Sequence, residues 1–203
     1  MRHTGPKVKL SRRLGVNVFE NEKGARALEK RPYPPGMHGT RRTGRPSDYA
    51  LQLREKQKLR FAYGLHERQF RNLYEEAQRH EGVTGHNLLR FLELRLDNVV
   101  FRAGWARTRP QARQFVSHGL LLLNGRRVTI PSIRLRAGDE VTLGGTADSM
   151  IVIRHNLDTL DVIVPAWLEA GADRRQVRVV SEPIREQIQV PANEMMVVEL
   201  YSR

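Results

Sequence analysis

Residues 108–128, TRPQARQFVSHGLLLLNGRRV, permit few folds. Thr108 followed three residues later by Gln111 is a capping-box pattern, in which side chains satisfy the unpaired donors of a helix start. Pro110 is tolerated in a first helical turn, and Gly119 suits a left-handed exit. The interval predicts a short helix with Ala112, Phe115 and Val116 inward and with Arg109, Arg113 and Ser117 on another face. The apolar run 120–123 then meets Asn124-Gly125, a strong short-range hairpin signal, and the chain returns through Arg126, Arg127, Val128 and Ile130. A helix that runs straight into a hairpin predicts short helices packed on a small antiparallel sheet. Such packing would gather Arg109, Arg113, Arg126 and Arg127 onto one surface, where like charges repel unless a polyanion neutralises them.

The flanking segments extend this pattern. Ser47 or Asp48 can cap a helix running to Tyr63, stopped by Gly64 and carrying Arg54, Lys56, Lys58 and Arg60. Phe70, Leu73, Tyr74 and Ala77 recur at amphipathic helix spacing, in a helix ending near Gly82. A third helix from Thr84 places Leu88, Leu89 and Leu92 inward, and Asp97 caps a short fourth one reaching Gly104. Strands are predicted at 133–135, 141–143, 151–153, 177–180 and 197–201, with a turn at Gly138-Asp139 and Trp167 in a core or interface. Before Pro46 the pattern is irregular and YPPGMHGTRRTGRP reads as turns. Val8, Leu10, Leu14, Tyr33 and Met37 offer anchors, which predicts a long arm that orders on its partner.

The fold class expected is α+β. A basic N-terminal arm (1–46) and a helical domain (47–92) precede a mixed domain of short helices on a small antiparallel sheet (93–190). A C-terminal strand or tail (191–203) docks back on the helical domain.

The charge is unevenly distributed along the chain. Of the net +13 over 203 residues, residues 1–60 contribute +11, 61–89 contribute −1, 90–136 contribute +8 and 137–203 contribute −5. Every lysine (Lys7, Lys9, Lys23, Lys30, Lys56, Lys58) lies in the first block, so each later cation is an arginine. The planar guanidinium matches phosphate oxygens and stacks on bases, which favours a structured polyanion over a membrane surface. With no cysteine there is no disulfide framework and no thiolate metal site. The histidines (His3, His38, His66, His80, His86, His118, His155) are scattered without metal-ligand spacing, so no metal and no cofactor are expected. AGDEVTLGG lacks the Lys-Ser/Thr of a phosphate loop, and no serine sits in a nucleophile elbow. No apolar run approaches the roughly 20 residues that cross a bilayer, and the basic start lacks the apolar core of a secretory signal. The expectation is a cytoplasmic protein with no membrane partner.

The stretch RLDNVVFRAGWARTRPQARQFVSHGLLLLNGRRV resembles the small RNA-binding module named after the fourth protein of the bacterial small ribosomal subunit. Similar modules occur in some tyrosyl-tRNA synthetases, pseudouridine synthases and a heat-shock RNA-binding protein. The flanks YPPGMHG, RPSDYALQLREKQKLRFAYGLHERQFRNLYEEA and NEMMVVELYSR resemble the bacterial ribosomal protein four family itself, across nearly the whole chain and in order. The resemblance implies a structural constituent of the ribosome that acts as a primary binder of 16S rRNA. It would dock as a monomer within the 30S subunit on a multi-helix junction of the 5′ domain and start assembly of the subunit body. It further implies a place at the mRNA entry channel beside ribosomal proteins three and five, and an effect on translational accuracy.

Carried onto this chain, the resemblance assigns rRNA binding to Arg95, Thr108, Arg109, Arg113, His118, Asn124, Arg126 and Arg127 in the module and to Arg54, Lys56, Lys58 and Arg60 on the basic helix. Lys7, Lys9, Arg12, Arg13 and Arg31 of the arm join them. Arg41, Arg42 and Arg45 match a basic stretch that in relatives lies toward incoming mRNA. Some members hold a cysteine zinc site in the arm; here, without cysteine, RNA and packing must hold it.

The acidic last third would be repelled by RNA, so Glu182, Glu186 and Glu194 are expected to meet a basic neighbouring protein, ribosomal protein five. Arg95-Leu96-Asp97 is similar to the catalytic triplet of pseudouridine synthases, but Asn-Val-Val-Phe-Arg follows it and too little chain remains for that catalytic domain, so no enzyme is expected. A free RNA-binding regulator or chaperone built on the same module has no need of about 90 preceding residues with helix-borne cations. A generic single-strand binder would need more aromatic residues than the 6% present.

Overall fold

The computed structural model describes residues 3–41, 44–145 and 150–202. In chain order the helices are α1 (Lys7–Leu14), α2 (Glu22–Lys30), α3 (Asp48–Ala62), α4 (Glu67–Arg79), α5 (Thr84–Glu93), α6 (Leu96–Arg102), α7 (Arg109–Ser117), α8 (Ile151–Thr159) and α9 (Glu194–Tyr201). The strands are β1 (Leu121–Leu123), β2 (Arg126–Val128), β3 (Glu140–Leu143), β4 (Leu168–Ala170) and β5 (Gln176–Val179). Two compact units result, one of Met1–Leu88 with Gln189–Arg203 and one of Leu89–Ile188.

In the first unit, α3 starts where expected: the Ser47 hydroxyl accepts from Ala50 N at 3.3 Å. Phe70, Tyr74 and Ala77 of α4 are buried at the predicted spacing. Two predictions fail here. The arm contains α1 and α2 where its sequence reads as irregular. Their inward strips are thin, Ser11 and Leu14 on α1 and Gly24 on α2, so the apolar period is too sparse to register. The second helix is instead started by Asn21, whose side-chain oxygen accepts from Gly24 N at 2.6 Å. The C-terminal strand expected at 197–201 is the helix α9. Asn193 caps it by accepting from Met195 N at 3.0 Å, and so short an apolar run fits either period. Helix α9 packs along α3, with Gln52 Nε2 donating to Glu199 Oε2 at 2.9 Å and Asn193 N donating to Glu55 Oε2 at 2.8 Å.

The second unit is a five-stranded antiparallel sheet of order β2-β1-β3-β5-β4 with helices against it. Its core joins Leu96, Val99 and Val100 of α6 and Ala112, Phe115 and Val116 of α7 to Leu121, Val141, Val177 and Val179 of the sheet, together with Trp105, Leu135, Ile153 and Trp167. Full burial of each such aliphatic side chain contributes about 1.5–3 kcal/mol. The Trp105 indole N–H donates to Arg174 O at 2.7 Å, so its burial leaves no orphaned donor.

Two strand predictions need correction, and one strand was not predicted. Residues 133–135 form only an isolated bridge, Arg95 with Arg134, flanked by Leu96 N to Ile133 O and Leu135 N to Leu94 O at 2.8 Å each. Their partner is the last extended stretch before α6, too short for a strand. Residues 151–153 open α8, which buries Ile153 and Asn156 and exposes Ile151 and Val152; tertiary packing overrides β-branched propensity. Strand β4, just after the buried Trp167, carries no pattern that announces it.

Candidate nucleic-acid interface

Helices α6 and α7 are joined by charge. Arg95 precedes α6 and Asp97 lies in its first turn; Arg95 Nε and Nη2 donate to Asp97 Oδ1 and Oδ2 at 3.1 and 2.8 Å, both side chains being buried. Arg113 on α7 donates from Nη1 to Asp97 Oδ2 at 3.1 Å and stays more than a quarter exposed. Asp97 is therefore not the cap of α6 that the sequence predicts, since Arg95 holds that position and the carboxylate anchors two guanidiniums. Alongside, Glu93 accepts from Arg102 Nε and Nη2 at 3.1 and 2.9 Å and from Asn98 Nδ2 at 2.8 Å, while Asn98 Oδ1 accepts from Arg109 Nε at 2.9 Å. Arg109 lies 4.5 Å from the Phe101 ring centroid and is buried.

This arrangement revises the expected surface. Arg109 and Arg95 are inside, so the four-arginine face reduces to Arg113, Arg126 and Arg127. Thr108 is used locally as well: its hydroxyl accepts from Gln111 N at 3.4 Å, and Gln111 Oε1 accepts from Arg107 N at 2.8 Å, one residue earlier than a capping box places that bond.

The hairpin turns at Asn124-Gly125 as expected, and its register sets Leu121 opposite Val128 and Leu123 opposite Arg126. Asn124 and Gly125 both take positive φ, 49° and 78°, the conformation that a two-residue turn requires. The Asn124 side chain, though exposed, is engaged within its own chain. Its Nδ2 donates to Asp139 Oδ1 at 2.8 Å and its Oδ1 accepts from Glu140 N at 2.9 Å, fastening the hairpin tip to the next turn. Arg127 donates from Nε to Gly119 O at 3.0 Å and from Nη2 to His118 O at 3.2 Å, placing a cation on the C-terminal carbonyls of α7. His118 and Arg126 are exposed.

Residues 90–136 hold ten arginines and two carboxylates. Those two, Glu93 and Asp97, are both engaged internally. The exposed arginines here, Arg107, Arg126, Arg127 and Arg136, thus lie in a stretch whose net charge is +8. Arg107 and Arg136 belong to this exposed set although no motif singles them out. The carboxylate deficit was the signal that could have found them.

In the first unit, the cations of α3 divide. Arg54 is exposed. Lys56 Nζ lies 2.6 Å from Glu67 Oε1, Arg60 Nε lies 3.4 Å from Glu67 Oε2, and Lys58 Nζ lies 2.6 Å from Glu55 Oε1. The Tyr201 hydroxyl donates to Glu67 Oε1 at 3.0 Å and its ring stacks on Tyr74 at 4.6 Å. Burial pushes the Glu67 pKa up, but hydrogen bonds from Lys56 and Tyr201 and the charges of Lys56 and Arg60 outweigh it and hold the carboxyl below its usual value. Burial first, then the Glu67 charge, pushes the Tyr201 phenol well above the ordinary tyrosine range.

In the arm, Lys9, Arg13 and Arg31 are exposed and Lys7 sits 5.6 Å from the Phe19 ring. Arg12 instead clamps a loop, donating to the carbonyls of Arg31 and Tyr33 at 3.2 Å each. Arg41 and Arg45 are exposed, while Arg42 lies outside the described residues. Glu186 is exposed, and Glu182 Oε2 accepts from Arg90 Nη1 at 2.7 Å. Glu194 is buried beside His86, 3.9 Å away, which removes it from any surface that meets a partner. Acidity alone could not reveal that α9 turns this residue inward. Among the described residues no cluster of His, Cys, Asp and Glu could hold a metal ion.

Comparison with known proteins covers the whole chain. The family model for the ribosomal protein S4/S9 N-terminal domain matches residues 2–93, and that for the S4 domain matches residues 94–141. Small ribosomal subunit protein uS4 of Borreliella burgdorferi (strain ZS7) is 50% identical over 199 residues, covering 97% of this chain and 96% of the relative. The protein of the same name from Cutibacterium acnes is 50% identical over 205 residues, covering 100% of this chain and 99% of the relative. That from Borrelia hermsii is 49% identical over 199 residues, again 97% of this chain and 96% of the relative.

Proposed function

The chain belongs to the uS4 family of small-ribosomal-subunit proteins, and from that premise we propose that it is a primary binder of 16S rRNA, docking on a multi-helix junction of the 5′ domain. It is a structural constituent of the small ribosomal subunit and not an enzyme. The observation that carries the reading is the carboxylate deficit of residues 90–136, where both acids are turned inward. Arg113, Arg126, Arg127 and the exposed cations Lys9, Arg13, Arg31 and Arg54 contact phosphates and riboses where several backbones converge. Arg95 and Arg109 serve the same face from beneath, by holding α6 and α7 in position. Recognition is of RNA shape, because the cations are dispersed over rigid elements and few rings are exposed for reading bases.

Docking there nucleates assembly of the subunit body. Arg41 and Arg45 lie toward mRNA at the entry channel, beside ribosomal proteins three and five. Glu182 and Glu186, in an acidic segment that RNA would repel, meet the basic ribosomal protein five, and through that contact the protein influences translational accuracy. With no cysteine for a zinc site, the arm is held by RNA and by packing, to which Arg12 and the burial of Leu14 and Val18 contribute. Hydroxyl-radical footprinting on protein-free 16S rRNA tests the reading. Protection clustered on one junction of the 5′ domain, in the absence of any other protein, is expected; diffuse protection, or protection that needs another protein first, contradicts it.

A further inference from the structure

Of the Phe, Trp and Tyr side chains among the described residues, only those of Tyr33 and Tyr49 are exposed. Tyr33 stands in a loop of the arm, where it is 36% exposed and the nearby Met37 is 87% exposed. The ring is nevertheless held. The Arg12 guanidinium lies 5.0 Å from its centroid while donating to the carbonyls of Arg31 and Tyr33 at 3.2 Å and, more weakly, of Pro34 at 3.5 Å. One residue of α1 thus fixes the loop backbone and sits against the ring at the same time. The surroundings are cationic, with 12 lysines and arginines against 3 glutamates over residues 1–46, and Arg13, Lys30 and Arg31 are exposed.

We propose that Tyr33, backed by Arg12, is a preformed stacking platform for an unpaired nucleobase. This inference rests on the RNA reading above and adds a contact of a different kind, because a base is taken by its π-face while the surrounding cations take its phosphates. Arg12 draws electron density at the ring and is itself able to share the stack. The loop is ordered by its own carbonyl clamp, so little conformational freedom is lost when a base arrives. A tyrosine serving as a core anchor would be covered by its own chain, as Tyr63 and Tyr74 are at 4% exposure.

The test uses the full chain and a protein-free 5′-domain fragment of 16S rRNA, titrated over a range of salt with tRNA as competitor. Tyr33→Ala and Tyr33→Leu are expected to weaken binding by roughly fivefold to a hundredfold at every salt concentration, leaving the slope of log affinity against log salt unchanged. Tyr33→Phe retains wild-type binding, and Arg31→Ala flattens the slope instead. Tyr33→Leu keeps an apolar side chain, and its unfolding midpoint, equal to that of the wild type, separates lost stacking from lost folding. Binding by Tyr33→Ala and Tyr33→Leu equal to wild type overturns the platform. So does normal RNA binding by Tyr33→Ala combined with failure to enter the reconstituted subunit, which would assign Tyr33 to a protein neighbour. A wild-type chain that prefers the fragment no more than tRNA would remove the RNA reading itself, a result distinct from either.

Discussion

Arg113 and Arg95 share one carboxylate oxygen: Asp97 Oδ2 lies 3.1 Å from Arg113 Nη1 and 2.8 Å from Arg95 Nη2. The two arginines differ in exposure, about 28% for Arg113 against 6% for Arg95. The buried one orients the acid, and the acid orients the one that reaches solvent. Two positive charges on one negative charge leave a net cation at the surface, held in a fixed direction before any ligand arrives.

Arg113→Ala is expected to weaken binding to the rRNA junction and to flatten the salt slope by up to about one unit. Because Arg95 still satisfies Asp97, the unfolding midpoint moves little. A salt titration beside a thermal melt reads both. Unchanged affinity and slope would remove Arg113 from the RNA face.

Arg95→Ala behaves in the opposite way. It leaves the buried Asp97 with Oδ1 unpaired and only Arg113 on Oδ2, and is expected to cost up to about 3–5 kcal/mol of stability, with RNA affinity falling as Arg113 loses its fixed direction and as the second unit unfolds. Arg95→Ala with Asp97→Ala together costs less than the sum of the two, which a double-mutant cycle in denaturant measures. Strict additivity would show that the pair is not coupled.

Asn124→Ala loses both side-chain bonds to the Asp139 turn and puts alanine at φ 49°. A loss of about 1–3 kcal/mol is expected, while the RNA affinity of the folded protein stays unchanged because both ends of the amide are already bonded within the chain. Asn124→Gly relieves the backbone strain and recovers part of the loss. A loss of affinity under conditions where the variant is fully folded would return Asn124 to the RNA contacts.

These residues also show what the amino-acid order makes legible. The helix, turn and hairpin of residues 108–128 are readable because each boundary has its own chemistry: Thr108 at the start, Gly119 at the exit, Asn124-Gly125 at the tip. Helices α1, α2 and α9 escape because their buried strips are one or two residues wide, and α8 because Ile-Val-Ile favours the wrong period. At the site, residue type identifies cations but not which of them have partners. Arg95, Arg109 and Arg113 look equivalent in sequence, and only the positions of Asp97, Asn98 and Phe101 separate the two that build the surface from the one that occupies it. Glu194 is misplaced for the same reason, since its burial depends on α9 being a helix.

Glu67 makes the stability of the first unit pH-dependent. Its pKa is lower in the folded chain than the ordinary 4.5, so its contribution is fully present above that value and is lost as pH falls through the folded value. Denaturant unfolding between pH 7 and pH 3 should show a decline that Glu67→Gln makes shallower. An equal decline in both proteins would show that the Lys56, Arg60 and Tyr201 contacts do not favour the charged form.

The central claim is that the outward cations recognise one folded RNA and do not merely condense on any polyanion. The direct measurement is the affinity of the purified chain for the junction-containing 5′ fragment of 16S rRNA, titrated with salt in the presence of excess tRNA. Tight binding that survives the competitor and weakens with a steep salt slope is the predicted result. Equal competition by tRNA would contradict the account and leave a chain whose charge binds RNA without choosing it.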